Sequence, residues 1–183
     1  MFVEPDEAAF VLETEIPAEP ALVWDYFTKP EYRSILLGSD SVEIRDKSVG
    51  RINEGAVYIC AHGDAEVRQP VLDWRPFEYY TIESPTPAGT SITWTIRLIP
   101  TDKGTRVLSI CGRLRGGNAI SRSVVKLMTG MFARESQKGV DKLREVIMED
   151  LESGTAVRPE AMNVAPGQIT EAVKASLAET GAD

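Results

Sequence analysis

Apolar and polar side chains alternate along much of the chain before residue 116. Between residues 8 and 16, Phe10, Leu12, Thr14 and Ile16 fall on one side of an extended backbone, which is typical of a strand with one solvated face. Turn residues such as glycine, proline and aspartate separate the later stretches, and no helical pattern interrupts them. The pattern therefore predicts a first strand at 8–16 and, from residue 41 to 115, an antiparallel meander with strands at 41–46, 55–62, 65–74, 77–83, 90–100 and 104–115.

Helical spacing appears in two other places. After the first strand, apolar residues from Leu22 to Phe27 follow Pro20, and a second short helix is predicted from Glu31 to Leu37 before Gly38. The longest helical pattern covers residues 119–152, which would span about 50 Å. Its apolar positions fall on one stripe: Ile120, Val124, Met128, Met131, Phe132, Leu143, Ile147 and Leu151. Gly130 and Gly139 inside this helix predict a close packing contact or a bend.

The composition changes after this long helix. Residues 1–153 are predicted to form one α+β domain, and residues 154–183 a linker followed by a tail. Within the tail, Ile169, Val173 and Leu177 give residues 168–179 a weak amphipathic pattern. The tail is expected either to be a mobile extension or to dock on the domain or on a protein partner.

Charge and composition narrow the class of protein. The chain has 183 residues and a net charge of −8, which disfavours binding to nucleic acid. Apolar residues make up 43% of it, but no run is long enough to cross a bilayer and no secretion signal is visible. Cys60 and Cys111 do not form a disulfide framework like that of a small secreted protein, so a cytoplasmic location is expected.

Three segments resemble one known family. The segment EIPAEPALVWDYFTKPEYRSIL (15–36) is similar to the opening of the START-related, Bet v 1-like superfamily, which includes polyketide cyclases and Hsp90-ATPase-activator-like proteins. VLDWRPFEYYTIE (71–83) and TWTIRLIPTDKGTRVLSI (93–110) also look like members of this family. The resemblance covers residues 8–150 and implies a helix-grip fold, in which a curved seven-stranded sheet wraps around a long C-terminal helix. It also implies a cavity between sheet and helix, which family members use for lipids, polyketides or other apolar molecules.

Alternation suggests which side chains would face such a cavity. On strand 90–100, Trp94 and Ile96 share an apolar face with Ile92 and Leu98. On strand 55–62 both faces are possible, and the face with polar groups is favoured because a pocket needs some of them. The long helix adds a patch of methionine and phenylalanine side chains that can adapt to an irregular ligand. The basic cluster around Gly116 (Arg113, Arg115, Arg122 and Lys126) adds one arginine. The candidate ligand-binding residues are therefore Tyr58, Cys60, His62, Trp94, Ile96, Arg113, Met128, Met131 and Phe132.

Candidate chemistry in the chain is sparse. His62 is the only histidine and a weak candidate for a general base, beside Asp64 and Glu66. One histidine and two cysteines on separate strands do not supply a zinc site, and no cofactor motif is present. No metal and no cofactor are therefore expected.

Three functions stay open at this point. The first is binding of a small hydrophobic molecule by a carrier, sensor or regulator. The second is a polyketide cyclase or aromatase type of enzyme assisted by His62, Tyr58 and Arg113. The third is a protein-binding regulator resembling Hsp90 ATPase activators, with the tail at 168–179 as the docking element.

Overall fold

The computed structural model of the protein describes residues 2–47, 50–86 and 89–156, and seven long strands with a short eighth form its antiparallel sheet. The strands are β1 (Phe10–Ile16), β2 (Ser41–Arg45), β3 (Val57–His62), β4 (Ala65–Arg75), β5 (Tyr79–Thr86), β6 (Thr90–Thr101) and β7 (Gly104–Cys111). Their order across the sheet is β1-β7-β6-β5-β4-β3-β2. Consecutive strands from β2 to β7 pair as a meander, and β1 closes the far edge against β7.

Three α-helices complete the fold: α1 (Pro20–Thr28), α2 (Pro30–Leu37) and α3 (Ala119–Ser153). Proline stands at the start of both short helices, where its missing N–H costs no hydrogen bond. Gly38 ends α2 in the left-handed conformation, with φ 59°. The order of the elements confirms the predicted α+β helix-grip fold, a sheet with two short helices after β1 and a long C-terminal helix.

The core lies between the sheet and the three helices. From α1, Val23 and Phe27 are fully buried, and from α3 so are Leu143 and Ile147. They pack in one cluster with sheet residues such as Tyr80. Burial of each such side chain stabilises the fold by about 1.5–3 kcal/mol relative to exposure.

The last predicted strand is shorter than the pattern suggested. It ends at Cys111, which pairs with Phe10, the first residue of β1. The chain then stays beside β6, since the N–H of Gly112 donates to the backbone oxygen of Thr93 and a two-residue strand, β8 (Arg115–Gly116), pairs with the start of β6. β5 pairs with the same end of β6 from the other side, so β7 and β8 lie on one side of it. The strand predicted at 104–115 is thus interrupted after Cys111 and resumes at Arg115.

Among the side chains that the structure describes, the apolar stripe of α3 is buried in the second half of the helix and exposed in the first. Ile120 is 76% exposed and Met131 is 50% exposed, whereas Leu143 and Ile147 are fully buried. The boundary between the two halves lies near Phe132, which is half-buried. The first half of the helix therefore extends beyond the core.

Gly139 allows the closest contact between helices. A Cβ atom at this position would lie 2.0 Å from the backbone oxygen of Leu36 in α2, which is far inside van der Waals contact. A Cβ atom at Gly130 would meet no atom within 4 Å. The helical glycine at 139 is thus a packing device, while the one at 130 is not.

The sequence also predicted an amphipathic tail and the absence of a membrane-spanning segment. The predicted tail at 168–179 lies outside the described residues. Within the described ranges, none of the helices combines the length and apolar character that a membrane-spanning helix requires.

Candidate functional site

A cavity of about 480 Å³ lies between the sheet, the end of α2 and the middle of α3. Its wall is mainly apolar and is built from β4 to β7 on one side and from the two helices on the other. The apolar part includes Ile35, Leu36, Leu37, Ile82, Ile92, Trp94, Ile96, Phe132 and Val140. Its size falls in the range of typical small-molecule sites.

Burial distinguishes the two ends of the cavity. Arg33, Gln69 and Tyr80 are buried and form its inner end. Lys138 and Lys142 of α3 also line it, and both are exposed to solvent. The cavity therefore opens beside α3 and ends under α2.

Arg33 is the most unusual residue of the inner end. It lies on the same face of α2 as Leu36 and Leu37, three and four positions further along the helix, and all of them line the cavity. Its side chain is only 1% exposed. Arginine is rarely this buried unless it is paired with an acidic group.

The contacts of Arg33 are with uncharged groups. Its Nη1 donates to the hydroxyl of Tyr80 at 2.7 Å, and its Nη2 donates to Oε1 of Gln69 at 2.9 Å. The guanidinium carbon lies 4.1 Å from the ring centroid of Tyr58, a cation–π contact. Among the described residues, Nε has no hydrogen-bond partner and no carboxylate lies within ion-pair distance of the group.

The groups around Arg33 are neutral at physiological pH. Burial raises the pKa of Tyr58, of Tyr80 and of the Cys60 thiol above the ordinary values. Burial lowers the pKa of Arg33, but Tyr80 and Tyr58 act in the opposite direction and the net shift is upward. The inner end of the cavity therefore carries one positive charge without a protein counter-charge nearby in the described chain.

Three of the predicted ligand-binding residues lie on the cavity wall. They are Trp94, Ile96 and Phe132. The indole Nε1 of Trp94 donates to Oγ of Ser109 at 2.6 Å, which holds the ring against the adjacent strand. Their roles in binding stay predictions, but their positions agree with the alternation on β6 and with the spacing on α3.

Tyr58 and Cys60 lie next to the cavity, not on its wall. Both are fully buried on β3. The Tyr58 hydroxyl donates to the backbone oxygen of Thr28 at 2.8 Å, and its ring packs against Arg33. The Cys60 thiol lies 3.6 Å from Oε1 of Gln69. These residues support the polar end of the cavity from behind.

The remaining predicted site residues lie elsewhere. His62 is exposed at the hairpin between β3 and β4, and Arg113 is exposed after the end of β7. Met131 is 50% exposed on α3, outside the cavity wall. Met128 belongs to the same helix, and its side chain is not among those described.

Neither cysteine takes part in a disulfide, and β4, β5 and β6 separate the strands that carry them. The described ranges contain no cluster of three His, Cys, Asp or Glu side chains able to hold a metal ion.

The sequence interpretation missed Arg33 and Gln69. Both carry a signal that can be recognised afterwards, because each is a polar residue on an otherwise apolar face. Arg33 precedes Leu36 and Leu37 by three and four residues on a helix, and Gln69 stands between Val67 and Val71 on one face of β4.

The buried phenols and the thiol give the fold an expected sensitivity to alkaline pH. In the unfolded chain tyrosine ionises near pH ~10 and cysteine near pH ~8.5, whereas burial raises the pKa values of Tyr58, Tyr80 and Cys60 in the folded state. The folded state thus keeps protons that the unfolded state loses. These groups leave the free energy of unfolding unchanged below the pKa values of the unfolded chain, and they lower it as the pH rises above those values.

Thermal melts between about pH 8 and about pH 11 would measure this fall, and the Tyr58→Phe variant should show a shallower one. A melting temperature that stays constant through this range in the wild type would contradict the prediction.

A family model described as polyketide cyclase / dehydrase and lipid transport matches residues 7–148. A comparison with curated proteins finds no match.

Several solved structures share the fold. A protein of unknown function from Staphylococcus aureus matches with a TM-score of 0.60 and 16% identity, over 78% of this chain and 94% of that one. A protein from Nitrosomonas europaea matches with a TM-score of 0.58 and 17% identity, over 82% of this chain and 99% of that one. A protein from Thermus thermophilus matches with a TM-score of 0.55 and 19% identity, over 76% of this chain and 96% of that one. At these identities the structures establish the shared fold alone.

Proposed function

The chain belongs to the polyketide cyclase / dehydrase and lipid transport family, and on this basis we propose that it binds a small, largely apolar molecule in the cavity between sheet and α3. In this function the protein acts as a carrier, sensor or regulator, and the ligand is held without being transformed. Two observations support this class of ligand. The sequence resembles the START-related superfamily, and the matching family model is described as including lipid transport.

The observation that carries the proposal is the cavity itself. A volume of about 480 Å³ with a mainly aliphatic and aromatic wall is left unfilled by the core. Apolar surface left facing water is unfavourable by about 25 cal/mol per Å², so an apolar ligand that covers it gains this free energy on binding. The wall includes the solvent-exposed Lys138 and Lys142, so this end of the cavity adjoins solvent.

The positions of the polar residues favour binding over catalysis. The cyclase alternative relied on His62, Tyr58 and Arg113, and none of these three lies on the cavity wall. A general base must come within hydrogen-bond reach of the proton that it removes. The protein-binding alternative rests on residues 168–179, outside the described residues.

A variant that fills the cavity tests the proposal. Ser136 of α3 is half-buried and lines the cavity, so a phenylalanine there would occupy the space of the ligand. We expect Ser136→Phe to weaken binding of the uncharged fluorescent probe N-phenyl-1-naphthylamine by at least about tenfold, which corresponds to ~1.4 kcal/mol. The measurement is a fluorescence titration of wild type and variant.

The neighbouring residue provides the matched control. Gln137 is also half-buried on α3 but does not line the cavity, and its amide donates to Asp141 at 2.7 Å on the exposed side. Gln137→Phe should bind the probe with the affinity of the wild type. If the wild type binds neither this probe nor any apolar molecule of similar size, the proposed function is wrong.

A further inference from the structure

The buried end of the cavity contains a positive charge that the described protein does not neutralise. We propose that the ligand carries a carboxylate, which enters the cavity first and pairs with Arg33. This inference rests on the proposed function and deepens it, because it names the chemical class of the ligand: an apolar body with one acidic end.

The first argument is electrostatic. A buried cation without an opposite charge is costly, and proteins usually pair or hydrogen-bond such groups fully. Among the described residues that line the cavity, the charged ones besides Arg33 are Glu135, Lys138 and Lys142, and all three are exposed. Glu135 already accepts a hydrogen bond from Lys138 at 2.7 Å. An acidic group on the ligand would supply the missing charge at the buried end.

The second argument is the number of free donors. A guanidinium has five N–H donors in a planar fork. In Arg33 two of them have hydrogen-bond acceptors, the Tyr80 hydroxyl and the Gln69 amide oxygen. Nε has none among the described residues. A carboxylate is planar and accepts two parallel hydrogen bonds from such a fork, which makes it the matching anion.

The third argument concerns the size of the charge. One guanidinium balances one carboxylate, whereas a phosphate monoester carries about 1.5 to 2 negative charges and would need further cations. The two lysines that line the cavity lie at its exposed end. Between the two ends the wall is apolar, through residues such as Ile82, Trp94 and Phe132. This arrangement fits an apolar body behind a single carboxylate.

A matched pair of ligands tests the inference in the wild type. Dodecanoic acid and 1-dodecanol have the same apolar chain and differ in the charged end. We expect the acid to displace N-phenyl-1-naphthylamine at least about tenfold more effectively at neutral pH, since hydrogen bonds to charged groups contribute about 1.5–3 kcal/mol. This comparison requires no substitution and so does not depend on whether a variant folds.

One substitution can neutralise the site while preserving its shape. Gln69→Glu places a carboxylate where Oε1 already lies 2.9 Å from Nη2 of Arg33. We expect this variant to bind the acid at least about tenfold more weakly and the alcohol as well as the wild type does. Lys103→Gln, in the exposed turn between β6 and β7, changes the net charge by the same amount and should leave both affinities unchanged.

The outcomes separate the two proposals. Equal affinity of the wild type for acid and alcohol would overturn the carboxylate inference and leave the proposed function standing. Equal loss of both ligands in Gln69→Glu would overturn it as well, because the effect would then be one of shape. Absence of binding by the fluorescent probe, the acid and the alcohol would instead reject the proposed function.

Discussion

Replacing Gly139 by alanine is expected to destabilise the protein by about 2–3 kcal/mol and to abolish ligand binding. The new Cβ atom would lie 2.0 Å from the backbone oxygen of Leu36, so α3 and α2 must move apart. Alanine gains about 1 kcal/mol in helix propensity over glycine, but overpacking against rigid backbone outweighs this gain. Both residues line the cavity, so the displacement also deforms the proposed site. Urea unfolding and the fluorescence titration would measure the two effects.

The same helix contains the control. Gly130 lies in the first half of α3, and a Cβ atom there meets nothing within 4 Å. Gly130→Ala should therefore stabilise the protein by up to about 1 kcal/mol through helix propensity alone. If both substitutions had the same effect, the close contact between α2 and α3 would not be the reason for glycine at 139.

Replacing Tyr80 by phenylalanine is expected to lower the free energy of unfolding by about 2–4 kcal/mol. The Tyr80 hydroxyl accepts a hydrogen bond from Arg33 at 2.7 Å and donates one to the backbone oxygen of Phe27 at 2.8 Å. Phenylalanine removes both bonds, leaving the guanidinium with one acceptor, Gln69, and a buried carbonyl without its donor. Hydrogen bonds to a charged group contribute about 1.5–3 kcal/mol, and an unsatisfied buried acceptor costs about 1–3 kcal/mol. Chemical denaturation is the measurement.

The adjacent tyrosine on β5 points to the other face and serves as the control. The Tyr79 hydroxyl lies 3.4 Å from Oδ2 of Asp73 and is only partly buried. Tyr79→Phe should change the free energy of unfolding by about 0.5 kcal/mol or less. A loss in Tyr80→Phe no larger than in Tyr79→Phe would show that the hydrogen bonds of Arg33 contribute nothing to stability.

Elements with a clear period could be predicted from the sequence. The alternation on β6 placed Ile92, Trp94 and Ile96 on one face, and all three line the cavity. The bounds predicted for the long helix, 119–152, agree with the observed Ala119–Ser153 to within one residue. These elements follow their period because each has one face against the core.

The exposure of individual side chains depends on the tertiary structure and could not be predicted from the spacing of apolar residues. The stripe of α3 is continuous in the sequence, but in the structure Met131 stays half exposed whereas Leu143 and Ile147 are fully buried. His62 shares a face with Cys60 by alternation, yet the strand ends there and the side chain lies in solvent at the hairpin. A local pattern contains no information on where the neighbouring element ends.

Arg33 was missed for a related reason. An arginine in a short helix is usually a solvated surface residue, and that prior is sound for most positions. Its burial depends on Tyr80 and Gln69, which are 47 and 36 residues away along the chain and come together only when β4 and β5 pair. No local signal identifies these partners.

The pairing of β1 with β7 has a consequence for how the chain folds. Phe10 pairs with Cys111 and Ile16 pairs with Thr105, so the first strand joins a strand that comes after all the other long strands in the sequence. The hairpins from β2 to β7 close short loops, whereas the β1–β7 pairing closes a loop that contains all of these hairpins and carries a larger entropy cost. Domains that depend on such distant contacts fold more slowly than those built from local ones. During synthesis, β1 must therefore wait for β7 to leave the ribosome, and until then the first strand lacks the strand that pairs with it in the sheet.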